Sequence, residues 1–143
     1  IILMEDPTNI LAVLASAVFA VVLGGLWYGP VFGKMWMNLI GMTPEKMKAM
    51  PLSAPVAMLG GLITSFLMAY VLAHGIIFGN AFTHMSGIEG GMTGAFWYWL
   101  GFAVPLTGGA FLWEGKSFKL WVLNAGYYLV SLLGMGAILG AWS

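Results

Sequence analysis

From Leu120 to Trp142 the chain runs 23 residues without an aspartate, glutamate, lysine, arginine or histidine. At ~1.5 Å per helical residue, such a run crosses the ~30 Å hydrocarbon core of a bilayer with some tilt. Lys116 and Lys119 stand at one end and Trp142 at the other, the residue types that anchor a span at the water–lipid boundary. A soluble domain has no ready way to hide a uniformly apolar helix of this length. Composition agrees, with 61% hydrophobic and 7% charged residues against about 45–50% and about 25% in soluble domains. The chain reads as a membrane protein.

Three more spans precede this one. Asp6-Pro7-Thr8-Asn9 reads as a helix start, with a capping side chain and a proline tolerated in the first turn. Within the span that follows, Ala12, Ser16, Ala20 and Gly24 recur every four residues and share one face. In lipid, packing rather than hydrophobicity drives helix association, so such a row predicts a close helix–helix seam. Gly90/Gly94 and Gly136/Gly140 are further pairs at this spacing. Gly29-Pro30 stops the first span. Residues 31–40, too short to cross and too apolar for a free loop, predict an interfacial piece with Lys34 toward water. Thr43 is the expected cap of a short helical turn after it.

The second span opens at Ser53-Ala54-Pro55 and is expected to close around His74-Gly75, with residues 76–91 as a glycine-rich connection. Pro105 interrupts the third and predicts a kink. The expectation is an all-α integral membrane four-helix bundle with a short interfacial segment between its first two helices. Residues 1–143 form one transmembrane domain, with spans at about 9–27, 55–74, 92–112 and 119–142.

All five cationic side chains are lysines: Lys34, Lys46 and Lys48 between the first two spans, Lys116 and Lys119 between the last two. The positive-inside rule then puts both of these loops in the cytoplasm and both termini outside, in a plasma or inner membrane. Glu5 and Asp6 occupy the place where a cleavable signal carries basic residues. Since the first residue is Ile1, the natural start is expected upstream or at Met4.

Several function classes find no footing. Zero net charge and the absence of arginine leave no footprint for nucleic acid. Without cysteine there are no disulfides, thiolate metal sites or thiol nucleophiles. Coupled transporters keep ionisable groups within the membrane, and here none sits mid-span. No phosphate loop, nucleophile elbow or i, i+4 histidine pair occurs. The chain is therefore expected not to be an enzyme. His74, His84, Met85 and Glu89 match no metal-ligand spacing, and no metal site is expected.

What polar and aromatic residues remain supply the candidate sites. Asn124, Tyr128 and Ser131 lie three or four apart and predict a polar stripe on the fourth span. It serves either interhelical hydrogen bonding or, in a channel for a neutral or weakly polar solute, a pathway with Pro105 as hinge. Trp97, Tyr98 and Trp99 point in different directions around one helix, so some face lipid or a partner. They form a candidate contact surface for a bound lipid, a pigment, a quinone or another subunit. Lys34, Trp36, Glu114, Lys116 and Lys119 mark the cytoplasmic interface, where Glu114 is expected to pair with a lysine in its turn.

Leu26-Trp27-Tyr28-Gly29-Pro30 with Phe32-Gly33-Lys34-Met35-Trp36 resembles the first signature of a family of small four-span membrane proteins, domain of unknown function 1761. Its second signature resembles Trp99-Leu100-Gly101-Phe102 through Pro105. A third resembles Trp113-Glu114 through Lys119-Leu120 and Asn124-Ala125-Gly126-Tyr127. The resemblance implies a four-helix membrane fold and no particular activity. The function expected is a non-catalytic membrane subunit that packs against partner helices, its own copies or those of a larger, bioenergetic complex.

Overall fold

A computed structural model of the chain describes residues 7–142; Glu5 and Asp6, and with Asp6 the start of the expected capping segment, lie outside them. Asn9 caps the first helix, its side-chain oxygen accepting from the backbone N–H groups of Leu11 and Ala12 at 3.0 and 3.4 Å. Helix α1 spans Ile10–Leu26 and runs into a π-helical turn, π1, at Trp27–Val31. Pro30 lies inside π1 and Gly29 leaves helical geometry there, at φ −112° and ψ −106°. The amphipathic α2 (Gly33–Ile40) and the single turn α3 (Pro44–Lys48), capped by Thr43, follow. Helix α4 (Ala54–Thr83), α5 (Gly87–Tyr98), a second π turn π2 (Trp99–Ala103), α6 (Val104–Trp113) and α7 (Phe118–Ala141) complete the chain.

Among the described residues four helical stretches are long and apolar enough to cross a membrane: Ile10–Val31, Ala54–Thr83, Gly87–Trp113 and Phe118–Ala141. They form an up-and-down bundle in which α1 packs on α4 and α7, and α5 packs on α4 and α7. Small and aliphatic side chains from all four spans make one core, including Val13, Ala20, Ala69, Ala95 and Met135.

The second span is longer than its expected close at His74-Gly75. Helix α4 passes through both residues and ends only at His84, which adopts the left-handed conformation at φ 61°. Neither residue breaks the helix, and the structure gives the reason. The His74 imidazole is tied through Nδ1 to the Tyr70 carbonyl one turn back, 2.8 Å away. The missing side chain of Gly75 makes room for the Tyr98 ring, which a Cβ there would overlap. Ile76 then continues the core. The connection shrinks to residues 84–86, and Gly87 to Gly91 belong to α5. At 30 residues α4 is about 45 Å long, the thickness of a bilayer with its headgroups.

Pro105 is absorbed rather than answered by a break. A proline removes one N–H and collides with the carbonyl four residues back. Widening to π2 immediately before it relieves both problems. Two tryptophans then fasten this span to α7 in opposite directions: Trp99 Nε1 donates to the Ala125 carbonyl (2.7 Å) and Trp121 Nε1 to the Val104 carbonyl (3.0 Å).

The closest approach in the bundle is between α5 and α7. A Cβ on Gly91 would overlap the Gly136 carbonyl oxygen, and one on Gly140 the Gly87 carbonyl oxygen. Backbone touches backbone there. On another face of α5, Gly90 accommodates the Asn80 side chain of α4.

Candidate functional site

At the lysine-bearing end the helices separate around three tyrosines. The break at Gly29 sets Tyr28 between α2 and α7, its ring 5.3 Å from those of both Trp36 and Tyr127. Its hydroxyl donates to Asn124 Oδ1 at 2.7 Å. Tyr127 crosses to α1 and donates to the Ala20 carbonyl at 2.8 Å, beside Gly24, where the absence of a side chain admits the phenol. These bonds tie the end of the first span to the start of the fourth.

The predicted stripe therefore divides. Asn124 faces α1's end and is held by Tyr28, as a bond between helices. Tyr128 and Ser131 instead border a cavity of about 260 Å³ between α1, α4 and α7, with Gly24, Gly61, Thr64 and Ser65 around it. Ser131 is 1% exposed. Its Oγ comes near the Tyr127 hydroxyl but has no hydrogen bond of acceptable geometry among the described residues. The Thr64 hydroxyl folds back on the Gly61 carbonyl at 3.0 Å. Every side chain around this cavity is uncharged.

A second space adjoins it. Between α4, the third span and α7 runs an apolar groove of about 640 Å³, walled by Leu67, Val71, Phe102, Leu106 and Leu132. Met68 and Tyr128 border both spaces. The cavity opens where α4 diverges: residues 54–60 are all exposed, and the first buried residue of α4 is Ser65.

The remaining predicted residues fall into three groups. Ala12, Ser16 and Ala20 are buried and Gly24 half-buried, so that row is consumed inside the chain. Gly136 and Gly140 are likewise internal, against α5. The aromatic trio does not make one contact surface, because successive helical residues point about 100° apart. Trp97 faces outward at 64% exposure, Tyr98 packs at Gly75 and walls the groove, and Trp99 bonds α7. At the lysine end Lys34, Glu114, Lys116 and Lys119 are exposed, and Trp36 is half-buried on Tyr28. The expected pairing of Glu114 with a lysine is not formed among the described residues. Backbone bonds close that turn instead: Glu114 and Lys116 both donate to the Ala110 carbonyl, with Gly115 left-handed at φ 69°.

Two rows escaped sequence reasoning although their spacing was visible. Ala57, Gly61, Ser65, Ala69 and Ala73 recur every four residues along α4, and the last three are buried where α4 packs on α1. Gly87 and Gly91 are the true counterparts of Gly140 and Gly136. The neighbouring pair Gly90/Gly94 meets Asn80 and Ile76 of α4 instead.

The two π turns also share a pattern, Trp27-Tyr28-Gly29 and Trp99-Leu100-Gly101, and both tryptophans reach the same level of α7, Trp27 beside Gly126 and Trp99 at Ala125. Residues 11–140 match a family model described as a protein of unknown function (DUF1761). The chain belongs to the DUF1761 family. The match takes in both π turns and nearly the full length of all four spans, so the site lies within the DUF1761 range. No curated protein and no solved structure matches the chain. The DUF1761 description assigns no chemistry to these residues.

Proposed function

We propose that this DUF1761 protein is a non-catalytic membrane component that docks a helix of another chain, a second copy or a subunit of a larger complex, on the diverging start of α4. One observation carries the reading. Gly60 and Gly61 sit inside a helix with nothing within 4 Å of where their side chains would begin. A helix-interior glycine costs about 1 kcal/mol relative to alanine; at Gly91 and Gly136 that cost goes with close approach of another element, whereas Gly60 and Gly61, like the singly open Gly25, Gly79 and Gly109, stand open. At Gly60 none of the described residues comes within 4 Å. Three exposed apolar turns carrying a glycine pair are what a second helix backbone requires in lipid. The polar groups that reach between helices, the Tyr28 and Tyr127 hydroxyls and the Asn80 and Asn124 amides, suit packing rather than bond-making chemistry.

The polar stripe gives less support to solute passage. A route through one chain would have to cross a core that Val13, Ala69 and Met135 fill at 0% exposure. In the proposed setting the five lysines face the cytoplasm.

Native mass spectrometry after gentle extraction, with lipids retained, tests the docking reading. The expected result is a defined mass containing more than one chain, and its loss in Gly60→Leu with helix content unchanged. A wild-type protein that is monomeric under every gentle extraction ends the proposal.

A further inference from the structure

Between the first two spans the chain sets apolar and cationic side chains next to one another. Residues 31–52 carry Lys34, Lys46 and Lys48 against a single acid, Glu45, and all four are exposed. Met35 stands beside Lys34, Met47 lies between Lys46 and Lys48, and Met50 follows. These methionines are exposed too, at 51%, 49% and 53%. The two short helices that carry them are tied together. Gly41 closes α2 in the left-handed conformation at φ 70°, and Lys46 of α3 donates through Nζ to the Gly41 carbonyl at 3.1 Å. Among the described residues Lys34 and Lys48 hold neither a carboxylate nor a carbonyl.

One face of α2 is used by the bundle, where Trp36 rests on Tyr28. On the other, Lys34 and Asn38 are exposed one turn apart, with Met35 next to them. What covers such a surface must offer negative charge and hydrocarbon together. A free phosphate or an acidic soluble chain answers the ammonium groups but leaves the methionines in water. The boundary of an anionic bilayer answers both. An in-plane amphipathic segment sinks its apolar side chains to the acyl boundary and holds its lysines at the phosphates. Unbranched, flexible methionines suit so fluid a neighbour. We infer that the α2–α3 segment is a binding surface for anionic lipid, seated in the leaflet at this end of the bundle. The turn between α6 and α7, at the same end, repeats the pattern with Trp113 at 88% exposure near Lys116. At the opposite end the connection 84–86 carries no lysine. The surface is independent of the docking edge at Gly60, which contributes no charge.

Native mass spectrometry of the full chain in neutral detergent, titrated with dioleoylphosphatidylglycerol or dioleoylphosphatidylcholine, tests the assignment. The tails are identical, so the difference reads the headgroup. Phosphatidylglycerol should bind about twentyfold more tightly or better, since each lysine near an anionic surface contributes about fivefold. Lys34→Gln combined with Lys48→Gln removes two side chains that have no bond within the described chain to lose. This double variant should bring phosphatidylglycerol to within about fivefold of phosphatidylcholine, with circular dichroism unchanged. If it loses helix content, Lys34→Gln alone decides, with a loss of about fivefold expected. Glycerol phosphate, an anionic headgroup without tails, should not displace the lipid at about a hundredfold excess. Equal binding of the two lipids overturns the proposal, as does a wild-type preference in the lysine variant. Displacement by glycerol phosphate overturns it as well, in favour of a site for free anions.

Discussion

Gly87 and Gly91 meet Gly140 and Gly136 backbone to backbone where α5 begins and α7 ends. At the opposite end of the bundle Gly24 and Gly61 border a cavity of about 260 Å³ instead. Both pairs belong to rows of small residues at four-residue spacing, yet one row closes on its partner and the other parts from it. The difference lies in what else enters the seam. No large side chain stands between α5 and α7 at their glycines, whereas Tyr127 reaches from α7 to the Ala20 carbonyl and fills the space at Gly24. Small residues permit close approach; the third helix decides whether it occurs.

Breaking the closed end should have the largest effect. Leucine at Gly91 must displace the α7 backbone, because flexible side chains are not what it meets. Overpacking of this kind costs about 3 kcal/mol or more, and Gly91→Leu should lose the bundle's cooperative unfolding in detergent. A Gly91→Leu protein as stable as wild type would mean that α5 and α7 are not in backbone contact. The tyrosine end should respond less. Tyr28→Phe deletes only the bond to Asn124, and a polar contact between membrane helices is worth about 1 kcal/mol; the same denaturation assay reads it. Trp99→Phe, which keeps a ring but loses the bond to the Ala125 carbonyl, should cost a similar amount. An effect above about 3 kcal/mol for either would show that the open end carries stability this comparison does not assign to it. The smallest change belongs to Gly25, in helix with open space around it. Gly25→Ala should leave stability unchanged or raise it by up to about 1 kcal/mol.

The two prolines beside the π turns, Pro30 within π1 and Pro105 just after π2, show how far the sequence could be read. Gly29-Pro30 and Pro105 both signal an interruption. At the first, Gly29 takes a non-helical conformation and the chain turns into α2; at the second the helix widens to π2 and continues. Which outcome a proline produces depends on whether neighbours hold the next segment in line. For α6 the reciprocal bonds of Trp99 and Trp121 do so, and they join residues too far apart in sequence for local pattern to reveal. His74-Gly75 misled for the same reason. A glycine after a histidine is a plausible helix end until a tyrosine from another span fills the space.

The sequence alone determined the membrane class, four apolar spans and five lysines in two alternate loops. These follow from the transfer of single residues between water and lipid, a sum that needs no knowledge of neighbours. The cap at Thr43 was equally legible, being a bond across three residues, and so was a capped helix start before Ile10, although the cap falls on Asn9 and leaves Pro7 outside the helix rather than in its first turn. Tertiary structure decided which face of α5 meets α7, that the four-residue row of α1 is used up within the chain, and that Asn124 and Ser131 serve different spaces. Those outcomes depend on pairs of surfaces. In lipid, where hydrophobicity no longer distinguishes one contact from another, fit between backbones and the reach of a few hydroxyls select among them.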